Sequence, residues 1–272
     1  MIILVLVLLG LALGSFVNAL VWRIHKQRSS NKGSTQEYSI VAGRSMCPKC
    51  KHTLLSIDLI PVLSFALLRG KCRYCKKPIE DTPIPEITLP ALFVLSYAAW
   101  PYGFDFAGKV QFGLWVLMLV GLLALIIYDV RWYLLPNRVV FPLIGIVIVQ
   151  ILSLAMLKDD AKSLLLGSLW GFLTGGGIFW LIYQVSGGKW IGGGDVKLGW
   201  MLGLLLGGPS ASLLMIFLAS VLGSMVAIPL LATGKATRTT RLPFGPFLIA
   251  SSIIVYLFGS TLVSHYKRLY GL

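Results

Sequence analysis

Residues 110–129 read VQFGLWVLMLVGLLALIIYD, an uncharged apolar run that ends in an aspartate, Asp129. About 20 apolar residues is the length that an α-helix needs to cross the hydrocarbon core of a bilayer. The run therefore predicts a membrane-spanning helix that carries a carboxylate at one end. Such a carboxylate needs either a partner or a function.

Seven similar runs elsewhere predict a membrane protein. Hydrophobic residues form 57% of the sequence and charged residues 12%, against about 25% charged residues in an average soluble domain. We expect an all-α integral membrane protein, a bundle of about eight transmembrane helices. The second and sixth runs are short, so six to nine spans fit the pattern. The runs are 2–22, 88–104, 110–128, 138–157, 163–185, 196–208, 210–232 and 244–262.

The distribution of Lys and Arg predicts the topology. The first run has no basic residue before it and no small-residue cleavage site, which favours a retained anchor over a signal peptide. Arg23, Lys26 and Arg28 follow it directly, so we expect the N-terminus outside and residue 23 onward in the cytoplasm. Under this topology 19 of the 24 Lys and Arg residues lie in cytoplasmic segments. The net charge of +14 thus suits anionic lipid and indicates no nucleic-acid partner.

Three domains follow from this topology. They are a first transmembrane helix at 1–22, a polar cytoplasmic domain at 23–86 and a transmembrane domain at 87–272. Within the polar domain, residues 26–46 are poor in apolar side chains and predict a flexible connection.

All four cysteines lie in the polar domain, in two Cys-x-x-Cys pairs spaced as in a zinc ribbon. Two disulfides are the alternative, but the predicted cytoplasmic location is reducing. We expect a structural Zn²⁺ site in a small zinc-ribbon-like domain, with no open position for catalysis. The predicted ligands are Cys47, Cys50, Cys72 and Cys75.

Two of the ten acidic residues, Asp129 and Asp195, lie next to apolar runs rather than in loops or in the polar domain. Asp129 would end its helix, where the helix dipole disfavours a negative charge by roughly 0.3–1 kcal/mol. Its structural alternative is an ion pair with Arg131 at the headgroup level. Asp195 follows three glycines and has the alternative role of an N-cap for the next helix.

The predicted topology places both aspartates at cytoplasmic helix ends, and therefore at one depth in the membrane. Two carboxylates that share a site do not both ionise easily, so one keeps a proton near neutral pH. The ionised group can take a proton from water while the protonated group hydrogen-bonds the developing oxyanion. This pattern predicts an aspartic protease pair. The glycines beside Asp195 would let a substrate backbone approach closely, and they are Gly192, Gly193 and Gly194.

The segment Ile191-Gly192-Gly193-Gly194-Asp195 resembles the Gly-x-Gly-Asp signature of bacterial type IV prepilin peptidases. Six further elements follow the order of that family along almost the whole chain. They are Gly14-Ser15-Phe16-Val17-Asn18 with Arg23, Cys47-Pro48-x-Cys50, Asp58-x-Ile60-Pro61 with Ser64, Arg69-Gly70-Lys71-Cys72-x-x-Cys75, Asp129 with Leu135-Pro136-Asn137, and Pro243-Phe244-Gly245-Pro246-Phe247.

The resemblance implies a membrane aspartyl endopeptidase of the bacterial inner membrane. Such an enzyme removes the short leader of type IV prepilins or pseudopilins on the cytoplasmic side. Because its substrate is itself a membrane helix, the substrate would arrive laterally through the lipid bilayer. Lys189 and Lys197 could bind an acidic substrate side chain or stabilise the glycine loop, and we favour the loop.

Many members of this family also methylate the new N-terminus with S-adenosylmethionine. Nothing in residues 23–86 indicates this independently, since they contain no glycine-rich nucleotide loop. By resemblance the methylase candidates are Gly70, Lys71 and Glu86. Thr82 and Leu59 depart from the family pattern, so a protease without methylase activity is the alternative.

Two other classes of protein are less consistent with the sequence. A proton-coupled transporter would place its acids at mid-bilayer depth, whereas Asp129 and Asp195 are predicted at one interface. A non-enzymatic zinc-bearing assembly factor would leave the Gly-x-Gly-Asp segment unexplained.

Overall fold

A computed structural model describes residues 1–29, 38–40, 43, 45–79, 81–157, 161–235, 237, 240 and 242–270. Most of the predicted flexible connection at 26–46 lies outside the described residues. The described chain is all-α, which confirms the expected fold class, and a 3₁₀ helix covers Ser56–Leu59. The helices are α1 (Ile2–Ser29), α2 (Leu63–Leu67), α3 (Ile84–Ala98), α4 (Phe106–Trp132), α5 (Asn137–Leu157), α6 (Ala161–Ser186), α7 (Gly193–Leu206), α8 (Pro209–Ala232) and α9 (Gly245–Tyr270).

The described residues thus form nine α-helices rather than eight. Eight of them coincide with the eight apolar runs, and the ninth is α2, whose five residues in the polar segment are too few to make an apolar run. Six helices are long and apolar enough to cross a membrane, namely α1, α4, α5, α6, α8 and α9. The chain is therefore a multi-pass membrane protein. At 14 residues α7 is only about 21 Å long, short of the ~30 Å hydrocarbon core.

Several helix ends differ from the predicted ones for local reasons. α1 continues past residue 22 to Ser29, because a helix can extend beyond the bilayer once it has formed. α3 begins earlier than predicted, since Pro85 is tolerated in a first turn, where its missing N–H has no partner to lose. α3 also ends earlier than predicted, before Pro101 and before Gly103, and Gly103 has a φ of +70°.

The first of two compact units comprises Met1–Ala98 and Leu119–Ala124. In it α1 packs closely on α3. A Cβ placed on Gly14 would lie 2.6 Å from the Cα of Glu86, so only glycine permits this approach. The unit thus joins the predicted first helix, the described part of the polar domain and α3.

The second unit comprises Ala99–Met118 and Leu125–Leu272, and α7 contacts α5, α6, α8 and α9 within it. The α6–α7 interface is built on glycine. A Cβ on Gly175 would lie 2.8 Å from both the carbonyl oxygen of Gly199 and the Cα of Gly203. Each helix carries a small-xxx-small motif, the spacing that lets membrane helices pack backbone to backbone.

A buried polar network fixes α4 within the second unit. Gln111 Nε2 donates to the carbonyl oxygen of Gln150 at 3.0 Å and to Ser153 Oγ at 2.8 Å. Gln150 Nε2 donates to the hydroxyl of Tyr256 at 3.2 Å, and Trp115 stacks on the Tyr256 ring. Interhelical hydrogen bonds thus join α4 to α5 and α5 to α9, and ring stacking joins α4 to α9. Together they hold the helix that carries Asp129.

The first prediction tests the glycine interface with two substitutions on α6. Gly175→Ala is the test variant and Gly177→Ala is its control. Gly175→Ala forces α6 and α7 apart and should lower the free energy of unfolding by about 1–3 kcal/mol. Gly177→Ala should be neutral or stabilising, because no atom lies within 4 Å of a Cβ at that position and alanine favours helix. The midpoint of thermal unfolding in detergent measures both. Equal midpoints for the two variants would contradict the glycine interface.

Candidate active site and metal centre

Asp129 lies in the last turn of α4 and is 5% exposed. The helix ends because Tyr133 adopts a left-handed conformation, with its N–H donating to the Asp129 carbonyl at 2.8 Å. Among the described residues, Asp129 Oδ2 is buried without a hydrogen-bond partner. The alternative ion pair with Arg131 therefore does not satisfy this oxygen.

Gly245, the first residue of α9, lies directly against Asp129. A Cβ at Gly245 would be 2.6 Å from Asp129 Oδ2 and 3.6 Å from Leu198 Cδ2. The N-terminal end of α9 thus faces the carboxylate, and the positive end of its dipole opposes the unfavourable dipole of α4. No role for Gly245 follows from the motif Pro243-Phe244-Gly245-Pro246-Phe247 alone, since the contact exists only in the folded chain.

Asp195 is the third residue of α7 and not its N-cap, which is Gly192. The predicted run began too late because it started at the first apolar residue after the acid. The backbone N–H of Gly192 interacts with the Asp195 carboxylate, which is the reciprocal half of a capping box. A Cβ at Gly192 would be 3.5 Å from Asp195 Oδ2. The glycine loop therefore folds back over the acid that follows it.

The two aspartates interact electrostatically. Burial, and after it the charge of Asp129, together raise the pKa of Asp195 to about 6, although a hydrogen bond from the Gly192 N–H acts to lower it. Asp195 lies outside the six membrane-spanning helices. Because the charge of Asp129 reaches Asp195, the pair can hold one proton near neutral pH, as two carboxylates in one site do.

The connection between α4 and α5 contacts the first turn of α7. A Cβ at Gly194 would lie 3.2 Å from the Leu135 side chain. Lys197 Nζ donates to Asn137 Oδ1 at 3.1 Å, which ties α7 to the start of α5. The partner of Lys197 is therefore α5, and its role in stabilising the glycine loop stays a prediction.

The four cysteines converge in the first unit as two equivalent knuckles. Their Sγ atoms all lie within 4.8 Å of one another, and none forms a disulfide. In each knuckle the residue after the second cysteine, Lys51 or Lys76, has a positive φ and donates its N–H to the carbonyl oxygen of the first cysteine. Two knuckles of one geometry bring the four thiols together.

The donor set fits zinc. Zn–S bonds of 2.3 Å in a tetrahedron place sulfurs about 3.8 Å apart, and Cys47 Sγ lies 3.9 Å from Cys75 Sγ. Burial acts to raise the pKa of the Cys72 thiol, but backbone N–H groups of Cys75 and Tyr74 and the neighbouring thiols lower it to about 7. A lowered thiol pKa favours the thiolate, which is the metal-binding form.

A cavity of about 460 Å³ lies in the first unit, between α1, the start of α3 and the cysteine-bearing segment. Of the three methylase candidates, Glu86 lines this cavity, and Gly70 and Lys71 do not. Gly70 has a φ of +69°, and a Cβ there would be 3.1 Å from the ring of Phe65, which does line the cavity. Asn18 also lines it, and its buried Oδ1 has no hydrogen-bond partner among the described residues.

The fold and these two centres define a multi-pass membrane protein with a paired-aspartate site and a separate four-cysteine centre. Comparison with known families agrees. A profile of the bacterial peptidase A24 N-terminal domain matches residues 8–100, and a profile of the type IV leader peptidase family matches residues 116–228. The second match contains both Asp129 and Asp195.

Curated relatives extend the similarity over nearly the whole chain. A prepilin leader peptidase/N-methyltransferase from Pseudomonas aeruginosa is 34% identical, with 97% of this chain and 93% of the relative covered. Relatives with that same name from Stutzerimonas stutzeri and Bacillus subtilis are 33% and 30% identical, with 96% and 97% of this chain and 92% and 98% of the relative covered. The chain belongs to the type IV leader peptidase family. No solved structure matches it.

Metal analysis tests the four-cysteine centre. We expect about one Zn²⁺ per purified chain, because four thiolates complete one tetrahedral site. Cys72→Ser should lose the metal. His52→Gln should keep it, since His52 contacts the knuckle through its backbone carbonyl and its side chain packs on Tyr74. Zinc near zero in the unchanged protein would contradict the site.

Proposed function

We propose that this chain is a membrane aspartyl endopeptidase that removes the leader of type IV prepilins or pseudopilins and N-methylates the new amino terminus. The curated relatives carry both activities in their names. The observation that carries the protease half is the pair of a buried Asp129 and a half-buried Asp195, in which the charge of Asp129 helps to raise the pKa of Asp195.

Cleavage needs one ionised and one protonated carboxyl group. The ionised aspartate takes a proton from water, and the resulting hydroxide equivalent attacks the peptide carbonyl. The protonated aspartate donates a hydrogen bond to the oxyanion and then supplies the proton for the departing amine. The unpartnered Oδ2 of Asp129 supports this role, because a buried carboxylate oxygen without a partner can accept a hydrogen bond from water or substrate.

The positions of the acids favour a protease over a transporter. Asp129 lies in the last turn of α4 and Asp195 in the first turn of α7, so neither lies midway along a spanning helix. We assign both to the cytoplasmic face of the bacterial inner membrane, with the N-terminus outside. The excess of Lys and Arg in segments on that side supports this orientation. A prepilin, itself a membrane helix, would present its leader junction at this depth.

The cavity of the first unit is our candidate site for methylation. Its volume falls within the roughly 300–1,000 Å³ of small-molecule pockets. Asn18 Oδ1 offers a free acceptor for a hydroxyl or ammonium group, and Glu86 offers a carboxylate that would bind the amino terminus of the cleaved substrate. S-adenosylmethionine, when bound, would supply the electrophilic methyl group. Gly70 would affect the cavity indirectly, because a side chain at position 70 would press on the ring of Phe65, which lines the cavity.

The aspartate pair is tested by leader cleavage in a purified system. Asp129→Asn and Asp195→Asn should each lower the cleavage rate by roughly 10²–10⁴-fold or more, because each removes one member of the acid–base pair. Asp105→Asn is the matched control. Asp105 caps α4 by accepting from Gly108 N–H at 2.8 Å, and asparagine caps a helix equally well. Normal cleavage by either active-site variant would refute the pair.

A second assay separates methylation from cleavage. Glu86→Gln keeps an acceptor for the Val62 N–H, which bonds Glu86 Oε2 at 2.5 Å, but removes the charge that would hold an amino terminus. We expect this variant to cleave the leader normally and to leave the product unmethylated. The enzyme is incubated with a prepilin and S-adenosylmethionine, and the mass of the product is measured by mass spectrometry. A methylated product would show that Glu86 is not needed for methylation. Loss of both methylation and cleavage would show that Glu86 has a wider structural role.

A further inference from the structure

The segment that contains the 3₁₀ helix and α2 exposes a row of large apolar side chains, which we call the apolar edge. A segment outside the spanning helices would normally bury such residues, and exposed apolar surface of this kind marks an interaction site. None of these side chains lines the cavity of the first unit. The apolar edge consists of Leu55, Ile57, Ile60, Leu63 and Leu67, which are 60%, 57%, 41%, 52% and 73% exposed.

The apolar edge lies beside a cavity that is partly lined by a helix able to span the membrane. The cavity beside it is lined on one side by α1 between Ala12 and Trp22 and on the other by Pro61, Ser64 and Phe65. That stretch of α1 belongs to a helix long and apolar enough to span the membrane. The segment that carries the edge therefore runs alongside membrane-embedded residues.

A hydrogen bond ties the apolar edge to α3 independently of the cavity. The N–H of Val62, between Ile60 and Leu63 of the edge, donates to Glu86 Oε2 in the first turn of α3. That turn packs against Gly14 of α1, because a Cβ there would meet the Cα of Glu86. Gly14 lies well inside the first apolar run. The edge is thus tied to the first turn of α3, which packs on a spanning helix at a residue of the first apolar run.

Charge around the edge suits anionic headgroups. Residues 45–79 contain seven Lys and Arg and one acid, Asp58. Asp58 is engaged by Arg73, whose Nε lies 2.6 Å from its Oδ1. Arg69 follows Leu67 by two residues at the end of α2, and both side chains are exposed. Basic groups beside exposed apolar residues are the pattern of elements that lie in the interface of an anionic membrane.

We propose that the apolar edge inserts into the adjacent leaflet of the bilayer, with its apolar side chains among acyl chains. Arg69 binds the phosphate of an anionic phospholipid there. The four-cysteine segment is then held on the membrane surface by lipid as well as by α1 and α3. This lipid contact is independent of leader cleavage and methylation.

Photo-crosslinking of the full chain tests the lipid contact. The photoreactive residue p-benzoylphenylalanine is placed at position 67 in one variant (Leu67→p-benzoylphenylalanine) and at position 77 in the control (Lys77→p-benzoylphenylalanine). Each variant is reconstituted in vesicles of phosphatidylethanolamine and phosphatidylglycerol and irradiated. Both positions are exposed in the same unit. We expect lipid adducts on the Leu67 probe to exceed those on the Lys77 probe by about fivefold or more, since only the former would contact acyl chains. Zinc content and leader cleavage should match those of the unchanged protein.

The composition of the adducts tests the anionic preference. Phosphatidylglycerol should be enriched in the Leu67 adducts relative to the vesicle, and adding Arg69→Gln should remove the enrichment. Equal lipid adducts at both positions would overturn the insertion. A prepilin adduct that replaces lipid when substrate is added would overturn it in favour of a substrate surface. Adducts without phosphatidylglycerol enrichment would overturn the role of Arg69.

Discussion

The backbone contact between α6 and α7 is the constraint on which the catalytic half of the protein depends. Lipid tails are as apolar as leucine side chains, so burial in a membrane does not by itself bring helices together. Gly175 of α6 meets Gly199 and Gly203 of α7 closely enough that a Cβ would collide with backbone. Because α7 is shorter than the bilayer, this contact rather than the lipid decides its position. Asp195 lies in the first turn of α7 and is placed with it.

The aspartate site is assembled from helix ends with opposite electrostatic character. Asp129 lies at the unfavourable C-terminal end of α4, and the N-terminal end of α9 faces it through Gly245. Asp195 lies at the favourable N-terminal end of α7, where the Gly192 N–H interacts with its carboxylate. Helix ends supply unpaired N–H groups that stabilise negative charge. A buried acid beside a half-buried one is tolerated where several such ends meet.

The first unit meets a different constraint. The polar segment between α1 and α3 is too short to bury a large core, and such small elements usually need a metal or another cross-link. Two knuckles that bring four cysteines together meet that need. Without a large core, the segment leaves the side chains of the apolar edge exposed. A membrane surface is our proposed cover for them, since the segment directly follows α1, a helix able to span the bilayer.

Much of this protein was predictable from the sequence because the relevant signals are local. Apolar length predicted eight of the nine described helices, Cys-x-x-Cys spacing predicted that the four cysteines converge, and acids beside apolar runs singled out Asp129 and Asp195. The five residues of α2 gave no such signal. The small-xxx-small motif at Gly199 and Gly203 was visible in the sequence, but a motif does not name its partner helix. Only the tertiary structure decided that Gly245 lies against Asp129, that Glu86 faces a cavity and that the apolar edge is exposed. Contacts between residues distant in the chain depend on how helices pack, and hydropathy reports only whether a helix prefers lipid or water.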